Sequence, residues 1–136
     1  MFLKITASYA GDDRVELVHG PSGNKMFTDL PVDNGGRGRT FSPTDLAASS
    51  VASCILTIMA KVAERDGIKF EGAAIEIGKT MQEAPRRIAK LSGLITLPAG
   101  LTPVQKEKIL ACVQACPVSR SLHPEVKVEF KLKERL

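Results

Sequence analysis

The 136-residue chain has no tryptophan, one tyrosine and five phenylalanines. With aromatics at 4%, the base-stacking platforms of a single-strand nucleic-acid binder are nearly missing. Cysteine is also scarce. Cys54, Cys112 and Cys116 are an odd number and too few to form a disulfide scaffold. His19 and His123 lie far from them in sequence, and the paired short spacings of a four-ligand zinc site do not occur. No stretch approaches the ~18 consecutive apolar residues of a membrane helix. The start, Met1-Phe2-Leu3-Lys4-Ile5, lacks the basic segment and apolar block of a secretory signal. The expectation is a cytoplasmic protein with no bound metal or cofactor, no membrane contact and no nucleic-acid partner.

What is present is ordinary globular material. Apolar residues make up 43% and charged residues 25%, a composition that specifies one compact domain over residues 1–136. The net charge is +4 and the sequence pI is near 9.1. Basic residues are interleaved with acids, as in Lys61, Glu64, Arg65 and Asp66, so no basic stripe forms.

Turn signals at Gly11-Asp12-Asp13 and Gly20-Pro21-Ser22-Gly23-Asn24 separate three short extended runs, about Leu3–Tyr9, Val15–Val18 and Lys25–Thr28. A glycine-rich loop, Pro31–Thr40, follows. Ser42-Pro43-Thr44-Asp45 predicts a helix start, with Ser42 as N-cap, Pro43 at the first turn and Asp45 as a short-armed capping-box acid. The helix should reach about Asp66, where Gly67 stops it. Leu46, Val51, Ile55, Ile58, Met59 and Val62 form its apolar stripe, and Cys54 lies within that stripe. Strands are predicted over about Phe70–Gln82 and Ile88–Leu97. A second helix begins at a full capping box, Thr102 with Gln105, and ends or bends at Pro117. Alternation over Val126–Leu132 predicts a last strand with one buried face. The order β-β-β-α-β-β-α-β is α+β with mostly antiparallel strands, and a long apolar helix in so small a chain favours a homodimer that shares its core.

A free cysteine in a helix stripe is ordinarily a small buried hydrophobe. A catalytic thiolate at Cys54 would need help from elsewhere, because it lies ~18 Å beyond the helix start at ~1.5 Å per residue, out of reach of the helix dipole. An arginine is the natural partner for such a thiolate. Cys116 immediately precedes Pro117, where the backbone must turn. That makes it the better of the two later cysteines as a resolving thiol for Cys54, with Cys112 read as core.

Two segments resemble a known family. Ser42-Pro43-Thr44-Asp45-Leu46-Ala47-Ala48 followed by Ser53-Cys54, and Cys116-Pro117-Val118-Ser119-Arg120-Ser121-Leu122, are similar to the SP-x-E-L-x-A-A…C and CP-[VI]-S-R-x-L segments of the OsmC/Ohr group, the osmotically inducible and organic hydroperoxide resistance proteins. The likeness spans nearly the whole chain. It implies an interlaced homodimer with two long central helices packed on curved sheets. It further implies a two-cysteine peroxidase in which Cys54 attacks the hydroperoxide, Cys116 closes the disulfide and a dithiol or small thiol restores both. The family's acid ten residues before the peroxidatic cysteine is replaced here by Thr44, with Asp45 one position later. Arg39 and Arg14 are the candidate activating cations, ranked above Arg37. Bulky organic hydroperoxides would suit an apolar stripe around Cys54. The alternative is a binding or carrier protein on the same fold with passive thiols.

Overall fold

The computed structural model describes residues 2–133. The chain divides into two compact units, Met1–Leu46 and Ala47–Leu136, each with its own three-stranded sheet.

The first unit is an antiparallel meander of β1 (Ile5–Gly11), β2 (Arg14–His19) and β3 (Lys25–Asp29). The hairpin between β1 and β2 turns on Asp12 and Asp13, whose φ values of 55° and 63° are the left-handed pair of a two-residue turn matched to strand twist. Aspartate tolerates that region better than most residues. The glycine-rich loop is more ordered than its composition suggests. Val32–Asn34 forms a 3-10 turn closed by Gly35 at φ 87°. The Gly36 and Gly38 N–H groups donate to the Pro31 and Leu30 carbonyls, at 2.9 and 3.0 Å. A side chain at Gly36 would collide with the Leu30 carbonyl, so the loop can close only on glycine.

Helix α1, Pro43–Arg65, starts and stops within one residue of the predicted bounds. The Ser42 N–H donates to Asp45 Oδ2 at 2.9 Å and the Asp45 N–H donates to Ser42 Oγ at 3.1 Å, the reciprocal cap that the sequence predicts. By length and hydropathy α1 could cross a bilayer, a property it shares with core helices of water-soluble proteins. Its buried side chains are Ala48, Val51, Ala52, Ile55, Met59 and Ala63. Leu46, Ile58 and Val62 from the predicted stripe are half-buried instead.

In the second unit β4 (Ala74–Gln82) and β5 (Arg87–Thr96) pair antiparallel, and β6 (Lys127–Leu132) pairs with β5 in parallel. The parallel pairing follows from the long helical crossover between β5 and β6. Leu91 and Ile95 of β5 are buried with Ser92 and Leu94 exposed between them, and they join Val51, Ile55, Met59 and Ile109 in one apolar core. Removing each of these side chains from water stabilises the unit by about 1.5–3 kcal/mol.

The second helical segment is not continuous. α2 (Pro103–Leu110) carries the predicted Thr102–Gln105 capping box, overwinds into a 3-10 segment, Ala111–Ala115, and stops at Cys116 with φ −70° and ψ 112°. A short α3, Pro117–Arg120, then restarts. The cause is local, since a residue before proline is pushed out of the helical region and proline has no N–H to continue the ladder. The Arg120 Nη2 donates to the Gln114 carbonyl at 3.1 Å, which satisfies one of the acceptors left open by the break.

Candidate active site

Cys54 sits in the fourth turn of α1 and is half-buried, while Cys116 at the start of α3 is fully buried. The fold of the second unit packs both side chains into the same core, where the two thiols interact, raising Cys54 and lowering Cys116. On α1 the residues one turn from Cys54 are Ser50 and Val51 before it and Thr57 and Ile58 after it.

The sulfurs are not equivalent. Burial raises the Cys54 thiol above its ordinary value, and donating to Cys116 raises it further, with the Val118 N–H working the other way. For Cys116, burial is the largest influence and opposes ionisation, but it is outweighed. The Ser119 side chain, the Ser119 N–H, the Cys54 thiol and the Val118 N–H together hold the Cys116 thiol below its ordinary value. The Ser119 N–H to Cys116 Sγ distance is 3.4 Å. The Ser119 hydroxyl is buried and has no hydrogen-bond partner. Hydrogen bonds to the charged form of a group favour that form, and desolvation opposes it. At Cys116 several donors converge on one sulfur, and at Cys54 they do not.

Cys112 belongs to the core. It is 7% exposed, its thiol faces the Lys108 carbonyl at 3.7 Å, and burial raises it.

The other candidate residues lie in the first unit. Arg39 donates from Nε to Asp29 Oδ2 at 2.7 Å, from Nη1 to Asp12 Oδ2 at 2.8 Å, and from Nη2 to the Asp12 carbonyl and Asp29 Oδ1. Arg39 therefore has two carboxylates as partners. Its hydrogen bonds hold the Asp29 carboxyl far below the usual range, with the Arg39 and Leu30 N–H groups adding to the effect. Arg14 stacks its guanidinium over the Phe27 ring at 4.5 Å, and its buried Nε has no hydrogen-bond partner. Asp45 holds the N-cap of α1. Among the described residues no cluster of three or more metal-ligating side chains occurs.

Sequence reasoning missed two features. Ser119 and the Val118 N–H act on Cys116 because Pro117 starts a new turn, and the signal was the Cys-Pro-x-Ser spacing, which has the form of an N-cap. The buried Asp29 gave no local sign, because its partner Arg39 lies across a loop.

The family model for OsmC-like proteins matches residues 35–131. The chain belongs to the OsmC-like family. No curated protein matches it. Among solved structures, one from Psychrobacter arcticus, provisionally described as an osmotic stress induced and detoxification response protein, is 36% identical with a TM-score of 0.90, over 95% of this chain and 94% of its own. An organic hydroperoxide resistance protein OsmC from Legionella pneumophila is 20% identical with a TM-score of 0.75, covering 98% of each chain. The organic hydroperoxide resistance protein OhrB of Bacillus subtilis is 17% identical with a TM-score of 0.66, again over 98% of each. At those identities the last two establish the α+β fold alone.

Proposed function

We propose that this OsmC-like protein is a thiol peroxidase that reduces organic hydroperoxides through Cys54 and Cys116. The interaction between the two thiols carries the reading, because a resolving sulfur must come within bonding distance of the oxidised one. Cys54, the more accessible sulfur, attacks the outer peroxide oxygen and becomes a sulfenic acid as the alcohol leaves. Cys116 then displaces the hydroxyl and closes a disulfide, and a dithiol or small thiol returns both sulfurs to the reduced state. The electrons come from sulfur, so the chemistry asks for no metal or organic cofactor. A reducing compartment such as the cytoplasm would keep the pair ready. Arg14 keeps an unused buried N–H, whereas Arg39 spends its donors on Asp29 and Asp12. Arg14 is therefore the guanidinium with a hydrogen bond left to give. Asp45 acts as a cap that fixes the start of the helix carrying Cys54.

The test is to add alkyl hydroperoxide stoichiometrically to reduced protein, count free thiols and map the linkage. The expected outcome is loss of two thiols to a Cys54–Cys116 disulfide, with peroxide consumption abolished in Cys54→Ser. Consumption at the original rate in that variant would end the reading.

The same proposal includes a homodimer. Phe2, Ile5 and Tyr9 are 94%, 63% and 70% exposed, and only a third of the apolar window of α1 is buried. Exposed apolar surface of this kind marks an association face. Light scattering should give twice the chain mass of 14.6 kDa, and a monomer at micromolar concentration would contradict it.

A further inference from the structure

The helix break at Cys116 leaves one carbonyl without its usual donor. In a 3-10 segment such as Ala111–Ala115 a carbonyl accepts from the residue three positions on. For Gln114 that residue is Pro117, which has no N–H to give. The Arg120 side chain supplies a donor in its place, with Nη2 at 3.1 Å from the Gln114 carbonyl. The Arg120 backbone N–H donates to the Cys116 carbonyl, also at 3.1 Å. One residue therefore grips the chain at two points, two positions before the cysteine and at the cysteine itself. Both bonds go to carbonyls and neither to a sulfur. Val118 and Leu122, on either side of Arg120, pack against the apolar core, which gives the guanidinium a fixed base to reach from. Arg120 and Gln114 are exposed, whereas Cys116 is buried, so the grip is applied from the surface to a chain whose side chain points inward.

We propose that Arg120 is a positioning residue for disulfide closure, a clasp across the break at Cys116 that keeps its sulfur in reach of Cys54. This rests on the peroxidase reading and adds a residue to its second step. In the first step the Cys54 sulfur takes the outer peroxide oxygen, the O–O bond breaks, and the thiol proton leaves with the alcohol. Arg120 has no part in that step. In the second, the Cys116 sulfur bonds to the Cys54 sulfur, the S–O bond breaks, and the Cys116 proton leaves with the sulfenic oxygen as water. The two electrons lost by the sulfurs are those taken up by the peroxide bond. A disulfide forms only within a narrow range of Cα separation and dihedral angle, and a reactant held in that range reacts faster than one that must find it. With the clasp gone, the residue before Pro117 is a hinge between two short helical pieces.

The experiment is a single turnover of the reduced protein with one equivalent of alkyl hydroperoxide, quenched over time. Sulfenic acid at Cys54 is trapped with a dimedone reagent, and the Cys54–Cys116 disulfide is followed by mass spectrometry. In Arg120→Gln, hydroperoxide should disappear at the original rate, while the sulfenic acid persists and the disulfide closes about three- to tenfold more slowly, the value of one hydrogen bond. Arg120→Lys keeps a charged donor on a stem of similar length and should recover part of the closure rate. Closure at the original rate in Arg120→Gln overturns the inference. So does an equal fall in both steps, which would mean a general loss of structure, or an Arg120→Lys variant as slow as Arg120→Gln. A wild-type protein that forms no Cys54–Cys116 disulfide defeats the peroxidase reading itself, an outcome distinct from a wild type that closes and an Arg120→Gln variant that closes equally fast.

Discussion

The sheet β1-β2-β3 and the sheet β4-β5-β6 have three strands each, but they are held by different chemistry. In the second unit a helix face lies on alternating strand positions, and Val51, Ile55, Met59, Leu91, Ile95 and Ile109 form an apolar interior. In the first unit every residue of β1 except Gly11 is exposed. The buried side chains of that unit are Thr28, Asp29 and Ser42, and order there comes from turns and from the Asp29–Arg39–Asp12 ion-pair chain. The lesson is that burial stabilises one unit at any pH, whereas the other depends on carboxylates remaining charged. Cys54 and Cys116 lie in the unit with the apolar interior. At the fully buried Cys116 a hydrogen bond to sulfur meets less competition from water.

Three substitutions probe that contrast, in falling order of effect. Leu91→Ala, at the centre of the apolar interior, should destabilise by about 2–5 kcal/mol, read as a shift of the urea midpoint. A loss below about 1 kcal/mol would mean the site collapses around the vacancy. Asp29→Asn should act mainly through pH. The folded carboxyl is depressed by Arg39, so its contribution is fully present above the unfolded carboxylate value of about 3.9 and drains away as pH falls below it. The variant should lose stability at neutral pH and show a flatter acid limb, with the two proteins converging at low pH. Parallel curves would mean that Asp29 contributes through packing alone. Thr102→Ala removes the side-chain acceptor for the Gln105 N–H and should cost about 0.5–2 kcal/mol. Its effect should not depend on acid pH, because no charge is involved.

Several elements of this architecture are legible from sequence because their causes are local. Ser42-Pro43 and Thr102-Pro103 each set a helix start through groups within three residues, and both caps form. The strand alternation of Val128 and Phe130 against Lys127 and Glu129 reports one half-buried face, as observed. The break at Cys116 is also local: Pro117 predicts that the helix ends or bends there, and the chain breaks at Cys116 and restarts as α3. The coupling of Asp29 to Arg39 was not legible, since it depends on how a ten-residue separation is folded back. Nor was the parallel pairing of β6, since alternation fixes a strand's faces and says nothing of its direction.

The sequence by itself determined the helix and strand order, the caps, the apolar stripes and the two cysteine motifs, because each depends on neighbours one or a few turns apart. Tertiary structure alone decided that Cys54 and Cys116 interact, that the donors of α3 converge on the buried sulfur, and that Asp29 is ionised out of water. Those outcomes depend on desolvation and on hydrogen bonds between distant segments, and both arise only when the chain has closed on itself.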